Sequence, residues 1–98
     1  MRVIAKKTIV SFYTEHTDAK TALEEWYEKT EKAEWDSYAE LKNSFGSADH
    51  VGNGRIVFDI KGNRYRLVAL VLFQIKMVYI RFVGTHDAYS RITDIENI

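Results

Sequence analysis

The chain contains no cysteine and no proline among its 98 residues. The absence of cysteine excludes a disulfide framework, a thiolate nucleophile and any cysteine-ligated zinc site, and it fits a reducing, cytoplasmic setting. No apolar run reaches the roughly 20 residues that a membrane span requires, and the N-terminus lacks the apolar core of a signal peptide. We therefore expect a soluble protein that is not exported and does not associate with a membrane.

Recognisable metal and phosphate motifs are missing as well. No pair or cluster of His, Asp and Glu has the spacing of metal ligands, and the sequence has neither a glycine-rich phosphate loop nor a serine nucleophile elbow. We expect no metal and no cofactor. Arginine, lysine, histidine and tyrosine side chains must then carry any chemistry.

Apolar material, by contrast, is sufficient for one core. Hydrophobic residues make up 46% of the chain, aromatic residues 13% and charged residues 29%. At this length roughly two-thirds of the unfolded surface can be buried, so we predict a single domain over residues 1–98.

The net charge of zero conceals two oppositely charged halves. Residues 1–50 carry 7 basic and 10 acidic residues, whereas residues 51–98 carry 7 basic and 4 acidic residues. Residues 55–81 hold six of those basic residues and a single acidic one, Asp59. The second half is therefore expected to offer a local surface that binds anions.

Periodicity divides the chain in the same way. Apolar residues at helical spacing over 9–13 and 23–30 predict two amphipathic helices, the second with Asp18 as its N-cap. A capping box at residues 37–40 predicts a short third helix, which Gly46 would end.

Strands are predicted in the second half, after a cluster of turn-forming residues over 47–54. Residues 55–61 alternate, 65–73 are almost continuously apolar, as in a central strand, and 78–83 form the next strand. Arg2–Ile4 can add an edge strand. We predict an α+β fold in which N-terminal helices pack on a compact antiparallel sheet.

A two-residue turn at Gly62-Asn63 fixes the register of the predicted hairpin and pairs Asp59 with Arg66. Side-chain alternation then places four charged residues on one face at the turn: Asp59, Lys61, Arg64 and Arg66. Three cations so close together would repel one another unless an anion binds. The alternative is a structural pair between Asp59 and Arg66, with the other two cations simply solvated.

The exit of the last predicted strand carries groups suited to proton transfer. Gly84 can end that strand in a conformation closed to other residues, which would leave His86 and Tyr89 exposed on a turn beside the sheet. Histidine exchanges protons near neutral pH, and tyrosine offers a phenol. A capping or merely solvated role for His86 is the alternative.

The most distinctive runs are residues 63–68 (NRYRLV) and 80–86 (IRFVGTH), the latter followed by Tyr89. With these runs the chain resembles the HigB toxin family of bacterial toxin–antitoxin modules over nearly its whole length. That family is similar to the RelE superfamily, and the resemblance implies a compact sheet with N-terminal helices packed on it.

Activity and partners are also implied by the resemblance. They are ribosome-dependent, metal-independent cleavage of mRNA, neutralisation by a HigA-type helix-turn-helix antitoxin, contact with operator DNA only through the antitoxin complex, and a bacterial cytoplasmic location. The catalytic residues that it implies are Arg66, His86 and Tyr89. The RNA-binding residues expected beside them are Lys61, Arg64 and Arg81.

Such a reaction requires the ribose 2′-OH to attack the adjacent phosphate. Arg66 would hold that phosphate, while His86 and Tyr89 would exchange protons, in an order that the sequence leaves open. Two other functions compete with this one: a toxin that inhibits its target by binding alone, as the related gyrase-directed toxins are thought to do, and a plain RNA-binding module. Because the basic surface is local, we expect free RNA to bind poorly and the ribosome to present the message.

Overall fold

The computed structural model describes all 98 residues, which form four α-helices and one five-stranded sheet. The helices are α1 (Lys6–Glu15), α2 (Lys20–Lys32), α3 (Tyr38–Ser44) and α4 (His86–Ser90). The strands are β1 (Arg2–Ile4), β2 (Asp49–Gly52), β3 (Arg55–Ile60), β4 (Tyr65–Leu72) and β5 (Met77–Thr85). Short 3₁₀ helices lie at Thr17–Ala19, Phe73–Ile75 and Ile95–Asn97. None of the helices has the length and apolar character needed to cross a membrane.

The sheet has the strand order β1-β5-β4-β3-β2. Strands β2 to β5 form an antiparallel meander, and β4 lies at the centre, as its almost continuous apolar sequence predicts. Arg2–Ile4 is an edge strand, as expected, and pairs parallel to β5 with Val3 opposite Val78. The predicted α+β class is confirmed, with one parallel pair that makes the sheet mixed.

Helices α1 and α2 cover one face of the sheet, where the main core lies. Trp26 of α2 meets Phe58 of β3 edge to face, with ring centroids 5.3 Å apart, and both side chains are buried. Burial of a side chain such as Phe58 stabilises the fold by about 1.5–3 kcal/mol relative to its exposure. The opposite face carries α4 and the 3₁₀ helix Ile95–Asn97, and Val57 and Val68 are buried on it.

The hairpin between β3 and β4 has the predicted register, with Ile60 opposite Tyr65 and Asp59 opposite Arg66. Its turn is closed by the Arg64 N–H, which donates to the Lys61 carbonyl oxygen at 3.2 Å. Lys61 itself has a φ of +54°, so it does not continue the extended strand. Side-chain alternation therefore stops at Ile60, and this matters for where the turn's cations lie.

The start of α2 differs from the prediction. Ala19, and not Asp18, occupies the N-cap position, and it makes no side-chain capping bond. Asp18 lies one residue earlier, in the 3₁₀ helix Thr17–Ala19, and its carboxylate reaches across to the hairpin. The N-cap prediction is wrong because a contact with the sheet takes up the carboxylate.

The third helix begins as its capping box predicts. The Ser37 hydroxyl accepts from the Glu40 N–H at 3.3 Å, while the Glu40 carboxylate accepts from the Asp36 N–H at 2.6 Å. Gly46 follows the C-cap residue Phe45 without adopting a left-handed conformation. The helix thus ends where predicted, by ordinary backbone bonding.

Two segments predicted as turns contain regular structure. Within 47–54, residues Asp49–Gly52 pair with β3, and the left-handed backbone is confined to residues 52–54. Gly84 does not end β5, because the strand continues to Thr85 and Gly84 pairs with Arg66. The expected turn after it is instead helix α4, capped by the Thr85 hydroxyl, which accepts from the Ala88 N–H at 3.1 Å.

Candidate active site at the hairpin end of the sheet

The β3–β4 turn and the β5–α4 junction meet at one end of the sheet. In register, Arg66 lies between Asp59 of β3 and Gly84 of β5. The Arg64 carbonyl oxygen accepts from the His86 N–H at 3.2 Å, which ties the turn to the start of α4. Residues predicted from two separate runs of sequence are thus brought to the same end of the molecule.

Arg66 is the most enclosed cation of this region. Its Nη1 donates to the Asn63 carbonyl oxygen and forms an ion pair with Asp59 Oδ1, both at 3.0 Å, and its side chain is 15% exposed. The cross-strand pair with Asp59 is therefore present. Nε and Nη2 make no hydrogen bond within the chain, so their N–H groups remain free to bind an anion.

Tyr89 lies against the guanidinium group of Arg66. The Arg66 Cζ atom is 5.7 Å from the centroid of the tyrosine ring, within the range of a cation–π contact. A pocket of about 270 Å³ lies beside them, lined by Ser47, Asp49, Val57, Asp59, Arg66 and Tyr89. Since two carboxylates accompany one guanidinium in that lining, the charge of the pocket is negative overall.

Gly84 owes its place opposite Arg66 to the ring of Phe82. A Cβ atom at position 84 would overlap the Phe82 Cζ atom, closer than any real contact allows. Glycine therefore permits the phenylalanine ring to lie over the strand beside Arg66. The predicted role of this glycine as a strand terminator is wrong, and its actual role is to make room.

His86 occupies the first position of α4 and is exposed. The Ser90 hydroxyl donates to the His86 carbonyl oxygen at 2.9 Å and lies 3.5 Å from the imidazole Nδ1. A second pocket, of about 480 Å³, is lined by Asn63, Arg64, Tyr65, Thr85, His86 and Asp87. His86 and Tyr89 are three residues apart, so they lie on the same side of the helix and line neighbouring pockets.

Lys61 and Arg64 do not share the face of Asp59 and Arg66, contrary to the prediction from strand alternation. Both approach Asp18 Oδ2 instead, with Lys61 Nζ at 3.4 Å and Arg64 Nη1 at 3.5 Å. The departure arises because alternation ends at Ile60, where the chain enters the turn. The polar residues of this end therefore form two clusters on opposite sides of the hairpin.

The other oxygen of Asp18 binds the sheet directly. The Tyr65 hydroxyl donates to Asp18 Oδ1 at 2.5 Å. This hydrogen bond, helped by the nearby Lys61 and Arg64, lowers the pKa of the Asp18 carboxyl below its usual value, although partial burial opposes the shift. The same bond is the main reason that the pKa of the Tyr65 phenol is raised.

Arg81 lies at an irregularity of the sheet. Phe82 pairs with Val68 and Ile80 with Ala69, so the intervening Arg81 has no cross-strand partner. Its side chain is exposed, and it makes no ion pair.

Two other basic residues of segment 55–81 have partners away from the hairpin end. Arg55 Nη2 donates to the Ile98 carbonyl oxygen at 2.8 Å, and Lys76 forms an ion pair with Asp36. The positive charge of residues 55–81 is thus divided, and only part of it lies at the hairpin end.

The sequence did not indicate that Asp18 and Tyr65 belong to the polar residues at the hairpin end of the sheet. It also did not indicate that Asp49 lines the pocket beside Arg66. Asp18 is 47 residues from its tyrosine partner, and no local pattern connects them. A carboxylate immediately before a helix reads as a cap, which conceals such a contact.

Comparison with known proteins gives one consistent result. A family model described as HigB_toxin, the RelE-like toxic component of a toxin–antitoxin system, matches residues 19–92. The mRNA interferase toxin HigB of Escherichia coli K12 is 30% identical over 97 residues, which cover 97% of this chain and 93% of that protein. The mRNA interferases HigB of E. coli O157:H7 and of Shigella flexneri match with the same identity and coverage.

Proposed function

Since this chain belongs to the HigB family of RelE-like toxins, we propose that it is an mRNA interferase, an endoribonuclease that cleaves translated mRNA and so stops translation. The observation that carries the proposal is the enclosed Arg66, with free N–H groups, a tyrosine ring against it and a histidine on the same helix as that tyrosine. This set of groups matches the needs of RNA cleavage without a metal ion.

The reaction is an intramolecular displacement at phosphorus. The ribose 2′-oxygen loses its proton and bonds to the adjacent phosphorus, and the bond from phosphorus to the 5′-oxygen of the next nucleotide breaks. That oxygen takes up a proton. The products are a 2′,3′-cyclic phosphate and a 5′-hydroxyl, so one base and one acid suffice and no water is consumed.

Arg66 stabilises the negative charge that develops on the phosphorane. Its Nη1 is held by the ion pair with Asp59 and by the hydrogen bond to the Asn63 carbonyl oxygen, which restrain the guanidinium group. Nε and Nη2 then bind the phosphate oxygens. Because donors that are held in advance need no reorganisation during the reaction, such a group typically contributes about 10²–10³-fold to the rate.

His86 and Tyr89 are the two groups that exchange protons with the substrate. One accepts the proton of the 2′-OH and the other donates to the leaving 5′-oxygen, and positioned groups of this kind typically supply about 10²–10⁴-fold. Both are carried by α4, whose start is fixed by the Thr85 cap and by the Arg64 carbonyl oxygen. The tyrosine ring also offers a face on which an RNA base can stack.

Lys61, Arg64 and Arg81 bind phosphates on either side of the cut. Their side chains are exposed enough to meet a strand that passes the hairpin end. The pocket beside Arg66, however, is lined by Asp49 and Asp59 and so repels a free polyanion. This charge supports a requirement for the ribosome, which supplies the message already positioned.

An antitoxin partner follows from membership of a toxin–antitoxin family. We assign that partner the HigA type, a helix-turn-helix protein that contacts operator DNA, so that the toxin reaches DNA only within the complex. The site of action is the ribosome in the bacterial cytoplasm.

The ion pair between Asp59 and Arg66 favours one competing function. An arginine that already has a carboxylate partner can serve the sheet alone, and the toxin would then act by binding its target without chemistry.

Mapping of mRNA 5′ ends on purified translating ribosomes separates these functions. Wild-type protein is expected to produce new 5′ ends within the translated region, whereas Arg66→Ala and His86→Ala remove them and also relieve growth arrest. Arg2→Ala is the control, because Arg2 is an exposed cation on the distant edge strand. Translation arrest by wild-type protein without new 5′ ends would support the inhibitor that acts by binding.

A further inference from the structure

The Asp18 carboxylate is a long-range contact of the helical layer with the hairpin that carries the proposed site. It lies in the 3₁₀ helix between α1 and α2, and all three of its side-chain partners lie in or next to the β3–β4 turn. Its two carboxylate oxygens contact different residues. Oδ1 takes the Tyr65 hydroxyl, and Oδ2 faces the two cations of the turn.

This arrangement does not serve the helix. An aspartate just before a helix ordinarily caps it, yet α2 begins with no side-chain capping bond. The ion pairs also add little to stability, because Lys61 is 42% exposed, Arg64 is 65% exposed and their distances to Oδ2 are 3.4 and 3.5 Å. What Asp18 determines is where two mutually repelling cations lie.

The effect extends to the catalytic helix. Arg64, whose side chain faces Asp18, uses its carbonyl oxygen to accept from the His86 N–H. Tyr65, which binds Asp18, is opposite Thr85, the cap of α4. Displacement of the turn would therefore displace His86 as well.

We propose that Asp18 is a positioning residue for RNA cleavage: anchored by the Tyr65 hydroxyl, it orients Lys61 and Arg64 toward the substrate phosphates and fixes the turn to which His86 is bonded. This inference rests on the proposed function. It has an electrostatic cost, because a carboxylate beside the phosphate-binding cations weakens their attraction for RNA. Asp18 thus lowers the affinity for RNA while it improves the alignment of Lys61 and Arg64 with the phosphates.

Single-turnover cleavage with ribosomes programmed with a synthetic mRNA tests the proposal, with the protein in excess and its concentration varied. In Asp18→Asn the amide oxygen can still accept from Tyr65, but the charge is lost. We expect the maximal rate to fall about tenfold as alignment is lost, while the concentration for half-maximal rate falls about threefold as attraction rises. Glu24→Gln removes an equal charge from an exposed α2 residue whose carboxylate makes no ion pair, and it should change neither quantity.

Tyr65→Phe separates the anchor from the charge. It keeps the carboxylate but removes the bond that holds it, so the maximal rate should fall without any gain in affinity. In a background of Lys61→Met and Arg64→Met, Asp18→Asn should no longer change the half-maximal concentration, because the groups it acts upon are gone.

A purely structural role gives a different pattern. The maximal rate of Asp18→Asn would then fall only as far as its folded fraction falls, while the half-maximal concentration stayed the same, and that result overturns the proposal. A change in the half-maximal concentration on Asp18→Asn that persists in the double-methionine background overturns it too. If the wild-type chain leaves the mRNA intact, the proposed function fails; if wild type cuts and Asp18→Asn behaves like it, only this inference fails.

Discussion

Two aspartates hold cations on opposite sides of the β3–β4 turn, and they do so in different ways. Asp59 binds Arg66 from the neighbouring strand at 3.0 Å, with the arginine 15% exposed. Asp18 meets Lys61 and Arg64 across 43 or more residues of sequence, at longer distances and in far more exposed surroundings. The cation of the first cluster is enclosed, whereas the cations of the second are exposed to solvent.

The difference in exposure between the two clusters suits them to different roles at the same end of the sheet. An enclosed guanidinium group restrained by Asp59 and the Asn63 carbonyl oxygen suits the reacting phosphate, because charge stabilisation depends on geometry set in advance. Exposed cations around a shared carboxylate suit the flanking phosphates, whose positions vary along a flexible strand. Under the proposed function, the cluster of Asp59, Arg66 and Tyr89 (the Arg66 cluster) would stabilise the reacting phosphate, and the cluster of Asp18, Lys61, Arg64 and Tyr65 (the Asp18 cluster) would bind and align the flanking phosphates.

Substitutions in the two clusters should affect different kinetic quantities, the maximal rate for Arg66 and the apparent affinity for Lys61. Arg66→Ala should lower the maximal single-turnover rate on programmed ribosomes about 10²–10³-fold, because the phosphorane loses its fixed donor. Lys61→Ala should instead raise the half-maximal concentration less than about tenfold, as an exposed charge contributes modestly. The division of work is wrong if folded Arg66→Ala retains a rate within about threefold of wild type.

Gly84→Ala disturbs the Arg66 side alone. The new methyl group overlaps the Phe82 ring, and relief of such overpacking costs about 1–3 kcal/mol. The Tm should fall by about 4–8 °C for each kcal/mol, as measured by thermal unfolding of a domain of this size. Gly46→Ala is the matched control, because nothing lies within 4 Å of that position and its backbone is not left-handed, and its Tm should be nearly unchanged.

The Asp18 side should respond to pH. Because the Tyr65 hydroxyl lowers the pKa of the Asp18 carboxyl below 3.8, the resulting stabilisation is complete above that pH and is lost as the pH falls through the lowered value. The Tm difference between wild type and Asp18→Asn should therefore shrink below pH 3.8. Thermal unfolding between pH 7 and pH 2 measures it, with Glu24→Gln accounting for the loss of one carboxylate. A Tm difference that stays constant from pH 7 to pH 2 would show that the Tyr65 hydroxyl does not stabilise the charged Asp18 carboxylate.

Arg81→Gln should have the smallest effect, since Arg81 is exposed and belongs to neither cluster. Loss of one phosphate contact should reduce the slope of log affinity against log salt by about 1 and leave the maximal rate within about threefold. Titration of ribosome-dependent cleavage at several salt concentrations measures both. A rate loss as large as that of Arg66→Ala would mean that Arg81 acts on the reacting phosphate, and the division between the two clusters would then be wrong.

The Arg66 cluster was largely predictable from sequence, and the Asp18 cluster was not. A two-residue turn and strict alternation determine strand register, so the pairing of Asp59 with Arg66 follows from local pattern alone. Asp18 and Tyr65 meet only because the α1–α2 connection packs over the hairpin. A contact of that kind depends on tertiary packing, and no local rule detects it.

Backbone features near glycine were the other source of error. Turn-forming residues conceal β2, because edge-strand pairing with β3 overrides the preferences of Asp49 and Gly52. Gly84 resembles a strand terminator, yet its function depends on the ring of Phe82 two residues earlier. Both errors arise from contacts that composition does not encode.

The proposed function requires that this protein cuts mRNA by attack of the ribose 2′-OH at the Arg66 cluster. The most direct measurement uses ribosomes programmed with two mRNAs that differ only at the mapped cut, where one carries a 2′-deoxy nucleotide. We predict a 2′,3′-cyclic phosphate and a 5′-hydroxyl at the cut in the all-ribose message, and no cleavage at that position in the deoxy message. Equal cleavage of both messages would show that the 2′-OH is not the nucleophile.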